Sequence, residues 1–158
     1  MPKINNYITE NKERFLNELL DLLRIPSVSA DSAYDADTAK TAEEVKKRLV
    51  EAGADNVEIC ATAGHPIVYA DKIIDTNLPT VLVYGHYDVQ PPDPLDLWSS
   101  KPFEAEERDG RLYGRGAADN KGPQIVHMAA LARALKKNPD LPLRITYLIE
   151  GEEEIGSP

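Results

Sequence analysis

Three short stretches carry the residues that could do chemistry together. They are Tyr84-Gly85-His86-Tyr87-Asp88-Val89-Gln90, Gly114-Arg115-Gly116-Ala117-Ala118-Asp119-Asn120-Lys121-Gly122 and Glu150-Gly151-Glu152-Glu153-Glu154-Ile155-Gly156-Ser157. The first follows an apolar run, Thr80 to Tyr84, that reads as a buried strand. His86 and Asp88 stand two residues apart, so on extended backbone they point to the same side. Open α/β sheets place ligands at the carboxyl ends of their strands. An imidazole backed by a carboxylate at such an end is the usual unit of a metal site.

Neutral imidazole and carboxylates suit Zn²⁺, and also Mn²⁺ or Co²⁺ where oxygen dominates. His86 would supply the nitrogen, with Asp88 behind it accepting the other ring N–H. Asp119 has two oxygens and could bridge two cations roughly 3.5–4 Å apart. Glu153 and Glu154 are adjacent and can divide the labour, one binding metal while its neighbour takes a proton from water. The spacing predicts that all three loops meet on one rim.

The elements that must position these groups follow from periodicity. A helix is predicted over about residues 4–24, with Phe15, Leu16, Leu19, Leu20, Leu22 and Leu23 as its apolar stripe and Pro26 as its stop. A second covers about 35–52, with Ala42, Val45, Leu49 and Ala52 on one face and Gly53 as the C-terminal stop. Strands are predicted near 56–61, 67–74 and 80–84, then a hairpin turning at Asp109-Gly110. A helix over about 120–137 and a strand from Leu143 to Ile149 complete the order. The expected class is α/β, a mixed sheet with helices on both faces. There is no internal repeat, low-complexity segment or linker.

At 158 residues the chain is about one domain long. Asp and Glu number 27 against 18 Lys and Arg, a net charge of −9 that argues against nucleic-acid binding. The excess acid is partly local, in the 104–109 and 150–154 stretches, where clustered carboxylates need solvent or a cation. A single cysteine, Cys60, rules out an internal disulfide and a CxxC zinc site, and its setting reads as a strand residue near the core. No stretch approaches a membrane span, and the N-terminus lacks a signal-peptide core. A reducing cytoplasm is the expected compartment.

The stretches GHYDVQPPDPLDLW, DGRLYGRGAADNKGP and EGEEEIGS resemble those of the M20 family of metallopeptidases, and most of all its cytosolic, carnosine-dipeptidase-like branch. The resemblance covers nearly the whole chain, and the motifs fall in the family's order. It implies a zinc-peptidase catalytic domain and hydrolysis of a small-peptide amide bond by water activated at a dinuclear Zn²⁺ centre. By position, His86 matches the histidine ligand of one zinc and Asp88 the aspartate orienting it. Asp119 matches the bridging carboxylate, and the Asp119–Asn120 peptide one that is cis in the family. Glu153 matches the general base and Glu154 a ligand of the other zinc. Family members are far longer. The resemblance therefore implies that residues 1–158 are the N-terminal part of the catalytic domain. The rest of that domain and the inserted lid, through which the parent would form a homodimer, would lie outside it. Each metal would keep two of three protein ligands, so the chain alone is expected to bind zinc weakly and hydrolyse little. N-acyl or N-carbamoyl amino acid amidohydrolases share the metal motifs, and a non-catalytic scaffold module is the alternative of a different class.

Blander readings apply elsewhere. His65, before Pro66, is expected to face solvent, and His127 to pack on a helix border. Lys121 after glycines suggests a phosphate lysine but lacks the GxxxxGK[ST] spacing. Arg115 and Tyr113 are expected to brace the loop carrying Asp119. Trp98 either covers the metal loop or simply packs.

Overall fold

The computed structural model describes residues 2–158. Among the described residues, three α-helices, α1 (Pro2–Leu23), α2 (Asp35–Ala52) and α3 (Lys121–Lys137), accompany six strands. The strands are β1 (Asp55–Cys60), β2 (Ile67–Lys72), β3 (Thr80–His86), β4 (Glu106–Arg108), β5 (Arg111–Tyr113) and β6 (Arg144–Glu150). Helix α2 starts with Asp35 and Asp37 in its first turn, where the helix dipole favours anions. It ends at Gly53, whose φ of 96° only glycine adopts cheaply, and whose N–H caps Leu49 and Val50 carbonyls. The β4–β5 hairpin turns at Asp109 and Gly110, both at positive φ (51° and 72°), as a two-residue primed turn requires.

The main sheet has the order β1-β2-β6-β3. The first two pairings are antiparallel, and β3 runs parallel to β6 with His86 opposite Glu150. That parallel pair delivers two of the chemical stretches, the ones after β3 and β6, to the same rim. Alternate residues Val68 and Ala70 of β2 and Tyr147 and Ile149 of β6 face one way. They pack with Leu22 of α1, Ala42, Val45 and Leu49 of α2, and Ile125, Met128 and Leu131 of α3. Burial of this cluster is the main stabilising term of the fold.

The expected mixed α/β sheet is present, and among the described residues α1, α2 and α3 all contribute to one core. One feature differs from expectation. Strand β3 lies at the sheet edge, and Val81, Leu82 and Tyr84 are exposed, so the run becomes buried only from Gly85 onward. An apolar run encodes a strand but not the number of its neighbours. Among the described residues, no helix is long and apolar enough to cross a membrane.

Candidate metal centre

His86 ends β3 and is 4% exposed. Its Nε2 lies 3.0 Å from Asp119 Oδ1 and 3.7 Å from Glu153 Oε2. Its Nδ1 lies 3.3 Å from Asp88 Oδ1 and 3.2 Å from the Asp88 carbonyl oxygen. The Gln124 side-chain amide donates to the His86 carbonyl oxygen, holding the strand end against α3.

Asp88 is fully buried. Its Oδ2 accepts Ser29 Oγ–H at 2.6 Å and the Glu154 backbone N–H at 3.1 Å. Oδ1 makes no well-formed hydrogen bond and faces the His86 ring edge. Burial pushes the Asp88 carboxyl up, but the His86 contact, the Ser29 and Glu154 donors and the His86 charge together hold it below its ordinary value. For His86 burial would lower the pKa. The hydrogen bond and charge of Asp88, then Asp119 and Glu153, prevail and raise it to about 9. An imidazole between carboxylates thus keeps its proton where no cation replaces it.

Asp119 sits in the loop between β5 and α3, with its side chain 73% exposed and its peptide bond to Asn120 cis. Glu153 and Glu154 lie on a short 3-10 turn, Glu153–Ile155, that follows β6 and closes at Gly156 with φ 97°. Single ligand atoms of His86, Glu153 and Glu154 all lie within 4.8 Å of one another. Asp119 touches His86 from beside this trio. One imidazole nitrogen and the two glutamate carboxylates form a donor set that fits a small divalent cation, and the Asp119 carboxylate reaches only the imidazole. The fully buried Asp88 fixes the imidazole from behind. Glu153, read as the base, stands in the same cluster as the residues read as ligands.

Several contributors were not singled out in the sequence. Ser27, Val28 and Ser29, just after the end of α1, are buried, the two serines 0% and 8% exposed. Ser27 Oγ–H donates to the Tyr87 carbonyl at 2.7 Å, and Val89 N–H donates to the Ser27 carbonyl at 2.9 Å. A parallel bridge pairs Val28 with Val89. The Ser27-Val28-Ser29 alternation is the one local trace of this strand-like pairing. Gln90 Nε2 donates to Glu154 Oε2 at 2.7 Å. Gly151 lies against the Tyr87 ring, where any Cβ would overlap the phenol.

His65 is not solvent-facing. Its side chain is 15% exposed and its Nε2 lies 3.4 Å from the Ser29 carbonyl oxygen. His127, expected to pack, is exposed. Lys121 is buried, its Nζ donating to the Leu22 and Ile25 carbonyls at 3.0 and 2.7 Å, so it closes the end of α1 and is no phosphate ligand. Arg115 donates to the Pro91 carbonyl at 3.0 Å and stacks over Trp98, whose indole N–H donates to the Pro92 carbonyl. Both brace the loop that follows Gln90. Tyr113 pairs with Arg108 instead.

Residues 82–158 match the family described as Peptidase family M20/M25/M40. The chain carries an M20-family domain. It is 38% identical to the cysteinylglycine-S-conjugate dipeptidase of Corynebacterium striatum, over 96% of this chain and 33% of that protein. It is 33% identical to the Cys-Gly metallodipeptidase dug1 of Schizosaccharomyces pombe, over 99% of this chain and 35% of that protein. The crystal structure of human carnosine dipeptidase 1 superposes with a TM-score of 0.89 at 32% identity, covering 99% of this chain and 35% of that one. The M20 chain thus spans about a third of the length of these relatives.

Proposed function

We propose that this chain supplies the metal-binding part of a hydrolase that cleaves the amide bond of dipeptides or other small peptides. The observation that carries it is the cluster of His86, Glu153 and Glu154, whose ligand atoms lie within 4.8 Å of one another, with Asp119 3.0 Å from His86 Nε2. The dipeptidase names of its relatives supply the substrate class.

His86, Asp119 and Glu154 would hold the metal, the roles that the resemblance to the M20 motifs implies. Zn²⁺ is the ion the donor set favours, with Mn²⁺ and Co²⁺ as alternatives. When bound, the metal supplies Lewis acidity that polarises the amide carbonyl and eases deprotonation of water. Asp88 accepts the Nδ1 proton of His86 and fixes the tautomer that leaves Nε2 free. Glu153, with its side chain 42% exposed, is open to solvent and takes the proton of the attacking water, then returns it to the leaving nitrogen.

The test uses the longest natural polypeptide carrying this sequence. Its hydrolysis of Cys-Gly should vanish after dialysis against a chelator and return with Zn²⁺. Turnover that survives metal removal would sink the reading.

A further inference from the structure

Asp88 and Gln90 grip Glu154 at three places. The Glu154 backbone N–H donates to Asp88 Oδ2 at 3.1 Å, and Gln90 Nε2 donates to Glu154 Oε2 at 2.7 Å and to its carbonyl oxygen at 3.3 Å. These contacts span 66 and 64 positions, so they tie the loop after β3 directly to the loop after β6. From this geometry we infer that Gln90 is the positioning residue of Glu154, holding its carboxylate toward the cation site. The inference rests on the reading of Glu154 as a metal ligand.

Gln90 is exposed, so the bland alternative is a surface hydrogen bond of little consequence. Three facts weigh against it. A side-chain amide nitrogen has two protons, and here that nitrogen reaches two acceptors on one residue. The shorter bond goes to an anionic oxygen at a charge-assisted distance. The donor is also neutral. A lysine or arginine in that place would neutralise Glu154 and compete with a cation, whereas an amide restrains the carboxylate and leaves its charge intact. Among the described residues, Oε1 of Glu154 has no hydrogen bond, so it is the oxygen left for a metal. A leucine at position 90 would lose both bonds and let the carboxylate turn into water.

Two measurements test this. In the metal-free, ¹⁵N-labelled chain, Glu154→Ala should shift the Gln90 side-chain NH₂ resonance and speed its exchange with solvent; an unmoved resonance overturns the inference. Zn²⁺ titration calorimetry on the parent, Gln90→Leu, Glu154→Ala and the double variant gives the second. Gln90→Leu should weaken Zn²⁺ binding about tenfold or more, the usual effect of removing a partner that orients a ligand. On the Glu154→Ala background the same change should cost nothing further. An equal loss in both backgrounds shows that Gln90 acts through something other than Glu154 and overturns the proposal. A general loss of folding would appear in the unfolding midpoint, which Gln90→Leu should leave unchanged. A parent that binds no Zn²⁺ even at millimolar concentration overturns the metal reading of the site. That failure is told apart from failure of the contact by the Gln90 resonance, which reports without metal.

Discussion

Nε2 of His86 lies 3.0 Å from Oδ1 of Asp119, although 33 positions separate the two residues. With Asp88 on the other ring nitrogen, the imidazole holds a proton that any cation must displace. Its pKa of about 9 in the folded chain, against 6.5 when unperturbed, sets two expectations. Zn²⁺ affinity should rise with pH up to about 9, with release of about one proton per ion. In metal-free protein the contribution of His86 to stability has the opposite sign. It is fully present below pH 6.5 and is lost as pH rises through 9, because the folded state binds the extra proton in that window. The stability difference between the parent and His86→Gln should therefore shrink across that window, as read by urea unfolding at several pH values. A pH-independent difference would remove the carboxylate–imidazole pairing from the account.

Asp88 serves three groups at once: Ser29, the Glu154 backbone and His86. Asp88→Ala strands the Ser29 hydroxyl and the Glu154 N–H in a buried place and removes the carboxylate beside His86, whose Nδ1 keeps the backbone carbonyl at position 88. The expected loss of stability is about 2–4 kcal/mol, the range for stranding buried donors beside a broken charge pair. Zn²⁺ affinity should fall about 10- to 100-fold with it. Serine 29 gives the control: Ser29→Ala removes one donor only and should cost about 1–2 kcal/mol. Asp88→Ala as stable as Ser29→Ala would mean that Asp88 is not the hub of these loops.

Glu153 can be separated from Glu154 by what each variant removes. In the longest polypeptide carrying the sequence, Glu153→Gln should lower kcat for a dipeptide by about 10²- to 10⁴-fold, the contribution of a positioned base. Its Zn²⁺ affinity should stay close to that of the parent, while Glu154→Gln should lose affinity. Because Glu153 shares the cluster with His86 and Glu154, the opposite outcome has a clear meaning. Loss of Zn²⁺ by Glu153→Gln in calorimetry would make it a ligand and leave the base to be found elsewhere.

What could be read from the sequence depended on how local its cause is. Helix α2 with its Gly53 stop, helix α3 and the Asp109-Gly110 hairpin come from signals a few residues long, and each has its expected place. The sheet-edge position of β3 does not, because the run from Thr80 to Tyr84 looks the same whether one neighbour or two will pair with it. The three loops that meet at His86 carry their chemistry in residue type, and motif order linked them. Ser29 and Gln90 are different: each is an ordinary polar residue whose meaning lies in a contact 59 or 64 positions away. Lys121 was ambiguous for the same reason, since its partners lie at the far end of α1.

Lys121 gives a prediction about the scaffold. Its Nζ is buried and donates to the Leu22 and Ile25 carbonyls, which also accept the backbone N–H groups of Ile25 and Ser27 just past the end of α1. Lys121→Met keeps the apolar stem and removes both Nζ bonds, while each carbonyl keeps its backbone partner. The expected cost is about 1–2 kcal/mol by urea unfolding. Burial pulls the Lys121 pKa down to about 7 from 10.5, with the charges of Asp88 and Asp37 opposing. Between those values the unfolded chain binds the additional proton, so the Lys121 contribution should become more favourable as pH rises from 7 toward 10.5. The stability gap between the parent and Lys121→Met should widen across that range. A variant as stable as the parent would show that the end of α1 needs no cap, and a gap that narrows with pH would show that the ammonium form is the one the two carbonyls hold.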